Sequence, residues 1–338
     1  MISDPLLQAV VNDAQWLAHR YEAPTDMIHF RHIPRLNHRN GPFLTDEYLG
    51  DAPLQRISRQ EAVAAVEPAP LHFLFHSAFC ASTLLTRAFD QPGMAMGLSE
   101  PVILNDIVGM RRRGEIQPQQ VAQLLDNAMT LLARPFEPGE AVIVKPSNIL
   151  NSLAGAMLAM RPQSKAVFLY APLEIFLASV ARKGLWCRLW VRELLEGMLQ
   201  EGAVGLDFTP GDYFRQTDLQ IAAVGWLAQH QMFHRLYSKF GPERIFAIDS
   251  ETLLERKDKA LPKIASLFDL KDEAATLIAQ SDSFGRDSKT GAAYDANARK
   301  IDQKKGVAAH SDEIEKVKIW AEAVAQSYDI ALTFPDPL

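Results

Sequence analysis

The chemistry-bearing residues of this sequence gather where short apolar runs end. His72-Phe73-Leu74-Phe75-His76 runs through Ser77-Ala78-Phe79-Cys80-Ala81 into Ser82-Thr83-Leu84-Leu85, the pattern of a strand that turns through small residues into a helix. Backbone N–H groups at such a helix start lack intrahelical acceptors, and together with the helix dipole they can hold a phosphate or sulfate. Ser82 and Thr83 would add hydroxyl donors. Against a Walker phosphate loop the segment departs in three places: His76 and Ala81 stand where glycines belong, and Ser82 replaces the lysine. Backbone nests use positive φ, which alanine tolerates less well than glycine. A loop without the lysine can cradle an anion but brings no cation of its own. The competing reading is an ordinary helix capped by Ser82.

Other candidates follow the next strands. Lys145 ends the run Ala141 to Val144, and Glu100 follows Ala95 to Leu98. An imidazole accepts a proton near neutral pH, which makes His76 the first candidate for a general base and Glu100 the second. Phe284 to Gly291 combines glycines with Arg286, Lys289 and two hydroxyls, a composition suited to closing over a nucleotide phosphate or to a plain surface loop. His230 and His234 lie one helical turn apart without an evident third ligand, so no metal is expected. Arg111-Arg112-Arg113 reads as a basic patch for an acidic acceptor or, more commonly, as a solvated helix end.

Elements that would position these residues are legible from periodicity. Apolar runs at His72–Phe75, Ala95–Leu98, Ala141–Val144, Ala166–Tyr170 and Arg244–Ile248 predict buried strands. Helical spacing separates them at Thr83–Phe89, Pro118–Ala133, Ile149–Met160, Leu173–Arg182 and Leu219–Phe240. This alternation predicts an α/β, three-layer P-loop NTPase-like fold: a central parallel sheet of about five strands with helices on both faces. Residues 1–70 form a lead-in packed on the core, with a helix over Leu6–Ala18, a strand over Met27–Ile33 and a turn-rich stretch from Pro34 to Pro70. The main domain covers 71–280, with an apolar helical insertion over 185–220 that serves as lid, substrate wall or plain core packing. Residues 281–338 give a polar loop and a last helix over Glu313–Ser327.

Composition narrows the partners. The 338 residues are 48% hydrophobic and 22% charged, as expected of a chain with a core. Its net charge of −6 gives no general attraction to nucleic acid or an anionic membrane, so an anionic ligand must be held locally. Two cysteines are too few for a disulfide framework and fit a cytoplasmic protein. No membrane span and no secretory leader are expected.

The ordered set of loop 77–83, Gly97-Leu98-Ser99-Glu100-Pro101, Val144-Lys145-Pro146-Ser147-Asn148, Val167 to Val180 and Arg244 to Leu254 resembles the P-loop sulfotransferases, which use 3′-phosphoadenosine 5′-phosphosulfate. The resemblance spans roughly Leu71 to Leu270. It implies a sulfuryl transferase acting on a hydroxyl or amine of a small-molecule acceptor. It implies that Ser77, Ala78, Phe79, Cys80, Ala81, Ser82 and Thr83 wrap the 5′-phosphosulfate, that Lys145 stabilises the transferred group, and that Ser179 binds the 3′-phosphate. The chain departs from the family at three positions: Phe79 and Ala171 replace the loop cation and the 3′-phosphate arginine, and Ser147 replaces the histidine of cytosolic members. Lys145, Arg182, Lys183, Arg286 and Lys289 are the cations available to compensate, and His76 lies at the mouth of the loop. A nucleotide-dependent kinase and a non-catalytic anion- or nucleotide-binding protein are the alternatives on the same fold.

Overall fold

In the computed structural model, residues 5–271, 273–281, 310–336 and 338 are described. Among these residues, eight strands divide between two sheets. β1 (Trp16–Glu22), β2 (Met27–His32) and β3 (Leu54–Ser58) form an antiparallel sheet in the order β1-β2-β3. β4 (Leu71–His76), β5 (Ala95–Ser99), β6 (Ala141–Lys145), β7 (Ala166–Tyr170) and β8 (Ile245–Asp249) form the predicted five-stranded sheet, parallel throughout, in the order β5-β6-β4-β7-β8.

All five parallel strands are apolar and almost wholly buried, as a sheet covered on both faces requires. The chain leaves β4 toward β5 on one side and later returns across it toward β7 on the other. Opposite directions of travel open a crevice at the carboxyl ends of the strands beside β4. His76, Ser99, Lys145, Tyr170 and Asp249 are the last residues of their strands, so all five stand along that one edge.

The lead-in is more ordered than its turn-rich composition suggests. Helical spacing over Leu6–Ala18 resolves into a helix at Pro5–Val11 followed by β1 from Trp16, because Asn12 to Gln15 breaks the helix. Pro34 to Pro70 holds three short helices (Arg35–Asn40, Asp46–Leu49, Arg59–Ala65) and β3. Two arginines fasten this region to the core. The buried Arg134 donates to the carbonyls of Val10, Val11 and Trp16 and lies 5.2 Å from the Phe30 ring centroid; burial lowers its pKa to about 10. Arg35 bridges Asp90 at 2.9 Å and Glu140 at 2.6 Å, both carboxylates being buried.

The helix Val102–Arg112, of which the sequence showed only the basic end, buries Val102, Ile103, Leu104, Ile107, Val108 and Met110. Its end is not a free basic patch. Arg112 pairs with the buried Glu201 at 2.8 Å, and Arg113 pairs with Glu115 at 2.6 Å. The insertion contains helices Gly184–Gln200 and Pro210–Arg215, and the last helix runs Ser311–Ser327. No helix among the described residues is long and apolar enough to cross a membrane.

Candidate active site

Register in the parallel sheet explains why three candidate residues meet. β5 and β6 align Ser99 with Lys145, so Glu100, one residue past the strand, stands beside the lysine, and its N–H donates to the Lys145 carbonyl at 2.7 Å. β4 and β6 align Phe73 with Val144, which carries His76 past the end of β6 on the neighbouring strand. Lys145 Nζ donates to Glu100 Oε1 and lies 3.4 Å from His76 Nε2; Glu100 Oε1 is 3.7 Å from the same nitrogen. The Lys145 side chain is 0% exposed and that of Glu100 18%, so the carboxylate is the member of the pair that reaches solvent.

His76 holds the loop in shape. Its Nδ1 accepts the Ala78 N–H at 3.2 Å, which leaves Nε2 as the protonated nitrogen, 3.1 Å from the Pro146 carbonyl. The His76 carbonyl in turn accepts from Asn151 Nδ2 at 2.9 Å, and Asn151 is held by Gln229 at 2.8 Å. An imidazole with both nitrogens engaged by the backbone is a strut between the loop and the end of β6.

The loop itself is strained. Ala78, Phe79 and Ala81 have φ of 72°, 55° and 63°, and Glu100, across the crevice, has φ of 53°. Left-handed conformations at residues with a Cβ are disfavoured, and clusters of them accompany functional sites. Ala81, not Ser82, is the N-cap of the helix Ser82–Phe89, and Ser82 is its first residue. Among the described residues no acceptor is recorded for the backbone N–H groups of Phe79, Cys80, Ala81 and Thr83. The Cys80 thiol is fully buried, and burial pushes its pKa up, against the opposing pull of Ser82. Ser77 is a structural member of the loop: its N–H donates to Leu169 O at 3.1 Å and its hydroxyl accepts from Ala171 N at 3.0 Å.

Phe79 turns toward the insertion. Its ring centroid is 5.8 Å from Phe176 and 5.7 Å from Trp190, and Lys183 Nζ lies 5.6 Å from it, so a cation does approach the loop from the neighbouring helix. Ser179 and Arg182 lie on that helix, Leu173–Arg182, in the turns after Phe176. Arg286 and Lys289 fall outside the described residues. Ala171 is built into the core, its carbonyl accepting from Trp226 Nε1 at 2.9 Å.

One neighbour had no signal in the sequence. Phe43, in the turn-rich lead-in, places its ring 5.2 Å from Lys145 Nζ. Leu44 N donates to Ser99 O at 2.8 Å and the Ser99 hydroxyl donates to Pro42 O at 2.8 Å, so this lead-in segment is fastened to the end of β5. His230 and His234 belong instead to an aromatic stack in which Trp226 lies 3.7 Å from His230 and Phe334 lies 3.8 Å from His234. Desolvation lowers the pKa of His230 to about 3, and no group of three metal-ligating side chains occurs among the described residues.

The chain is similar to several solved sulfotransferase structures. They include the sulfotransferase domain of the curacin biosynthetic pathway, at 15% identity over 67% of this chain and 81% of that one, with a TM-score of 0.41. The sulfotransferase domain of the Synechococcus PCC 7002 olefin synthase matches at 16% identity over 79% and 97%, with a TM-score of 0.40. The Mycobacterium avium sulfotransferase STF9 matches at 11% identity over 74% and 78%, with a TM-score of 0.43. No family model and no curated protein matches the sequence. At these TM-scores the fold assignment stands on the chain's own strand order and direction, and the chemistry on its own side chains.

Proposed function

We propose that the chain transfers a sulfuryl group from 3′-phosphoadenosine 5′-phosphosulfate to a hydroxyl or amine of a small-molecule acceptor. The observation that carries this reading is the loop of Ala78 to Thr83, four of whose amides have no acceptor among the described residues and which stands at the same sheet edge as the Lys145–Glu100 pair. Such a loop suits a tetrahedral anion. The donor residues present fit its 5′ end better than its 3′-phosphate, for which Ser179, Arg182 and Lys183 substitute for the arginine absent at Ala171.

The donor supplies an activated sulfur whose bond to the phosphate oxygen breaks as the acceptor oxygen or nitrogen bonds to it. Loop amides stabilise charge on the departing phosphate, acting as fixed dipoles that need no reorganisation. Lys145, a buried cation beside the loop, offsets the charge on the transferred group. Glu100 takes the acceptor's proton, since its side chain reaches solvent and both His76 nitrogens are engaged. His76 therefore serves as a positioning residue.

Calorimetry with adenosine 3′,5′-bisphosphate tests the reading. We expect saturable binding that weakens at least tenfold in Lys145→Ala; no heat at millimolar ligand would overturn it. Magnesium-dependent ATP binding in place of bisphosphate binding would point to a kinase.

A further inference from the structure

Lys145 ends β6, which lies between β4 and β5, so the lysine has the anion loop on one side and the turn after β5 on the other. The lead-in is strapped across that second turn. Leu44 N donates to Ser99 O at 2.8 Å and Leu44 O accepts from Val102 N at 3.3 Å, which brackets Glu100 between two backbone bonds. Leu44 is buried in the core, and Phe43 before it is half-buried, with its ring centroid 5.2 Å from Lys145 Nζ. A cation over a ring face is attracted to it, so ring and lysine hold each other in place.

The aromatic surface continues outward from Phe43. Tyr48 meets Phe43 with ring centroids 5.7 Å apart and planes at 73°, and it is 43% exposed. The short helix Asp46–Leu49 fixes its position: Tyr48 N donates to Thr45 O at 3.0 Å, and Asp46 pairs with the buried His19 at 2.7 Å. Burial, then Glu47, then Glu100 push the Tyr48 phenol pKa up, so the carboxylate assigned as the base stands within electrostatic reach of this ring. Two fixed rings therefore form a corner beside the place where an acceptor brings its hydroxyl or amine to Glu100.

We propose that Phe43 and Tyr48 select the acceptor, and that the acceptor bears its hydroxyl or amine on a flat, uncharged aromatic ring; the inference rests on the transfer function above. Rings set nearly at right angles offer a flat guest one face to stack on and one edge to meet, which a puckered saturated ring of the same skeleton satisfies poorly. Charge narrows the class further. Glu47 and Glu100 both act on the Tyr48 phenol, so a carboxylate carried by the guest meets repulsion at this corner. Phe43 and Tyr48 are specificity residues, and proton removal stays with Glu100.

Calorimetry on the protein saturated with adenosine 3′,5′-bisphosphate tests the corner with three probes: 2-naphthol, its saturated counterpart decahydro-2-naphthol, and the anionic 6-hydroxy-2-naphthoate. We expect 2-naphthol to bind saturably and about tenfold more tightly than either of the others. Tyr48→Ser changes an exposed side chain and keeps the core, and it should cut the preference for the flat over the saturated ring to about twofold, as should Phe43→Leu. A purely structural role would weaken all three probes together and leave the preference intact. No saturable binding of 2-naphthol, equal affinity for the two uncharged probes, tighter binding of the naphthoate, or an unchanged preference in both variants would overturn the proposal. Failure of the bisphosphate to bind, with the flat-ring preference present in the wild-type protein and lost in Tyr48→Ser, would sink the donor reading alone; bisphosphate binding without that preference would sink the aromatic corner alone.

Discussion

Two strand-to-helix turns stand side by side on the same edge of the sheet, after β4 and after β7, and they differ in nearly every respect that matters to a ligand. At the β7 turn, Ala171 donates to Ser77 Oγ, accepts from Trp226 and has no left-handed backbone. The β4 turn has three left-handed residues, and four of its amides have no acceptor among the described residues. Both helix starts leave first-turn amides open, as helix starts do, but only at the β4 turn are they preceded by a left-handed run, whereas the protein itself engages both backbone groups of Ala171. This contrast, and not overall likeness, is what supports the proposal that the β4 loop holds the anion.

The largest test concerns the cation beside the open turn. Lys145→Ala strands Glu100 and empties a fully buried site, and we expect a stability loss of about 3–5 kcal/mol in denaturant unfolding. Wild-type stability in the variant would show that the pair contributes nothing to the crevice.

Acid should attack the packed regions, not the loop. Desolvation lowers the pKa of the buried His38 and His230 to about 3 and of His72 to about 4, so each binds a proton more readily when unfolded, and stability falls as pH drops below about 6.5. Asp90 works in the opposite sense: burial raises its pKa to about 6, so the fold gains from its protonation as pH falls from 6 to 4. These four groups together take up a net proton on unfolding near pH 5; the lowered pKa of His19 and His234 adds to the loss of stability and the raised pKa of Asp106 opposes it. Thermal unfolding at pH 7, 6 and 5 should show a steepening loss, and a flat profile would contradict it.

His76→Ala removes the partner of the Ala78 N–H and of the Pro146 carbonyl, and should cost about 2 kcal/mol and weaken bisphosphate binding. Loss of binding without loss of stability would make His76 a ligand instead of a strut. Smallest, and opposite in sign at the two turns, are glycine substitutions. Ala78→Gly and Ala81→Gly relieve left-handed strain and should each stabilise by up to about 1 kcal/mol, whereas Ala171→Gly should destabilise by about the same amount. The same sign at all three positions would erase the distinction between the turns.

Much of this arrangement was legible in the sequence because it is written in local pattern. The five parallel strands announce themselves as uninterrupted apolar runs, and Glu100 and Lys145 lie immediately at strand ends, where topology alone brings them to one edge. The lead-in was not legible, because its short helices and antiparallel sheet depend on Arg35 and Arg134 reaching residues far along the chain. Phe43 carries no local sign of standing over Lys145. His76 was legible as important and illegible in its role, since a base and a strut use the same imidazole and only the partners of its two nitrogens distinguish them.

Amide chemical shifts provide the most direct measurement. Titrating adenosine 3′,5′-bisphosphate into labelled protein should move the N–H resonances of Phe79, Cys80, Ala81 and Thr83 downfield while Ala171 stays in place. Saturable binding that leaves those four resonances unmoved would contradict the central claim that the β4 turn is the anion site.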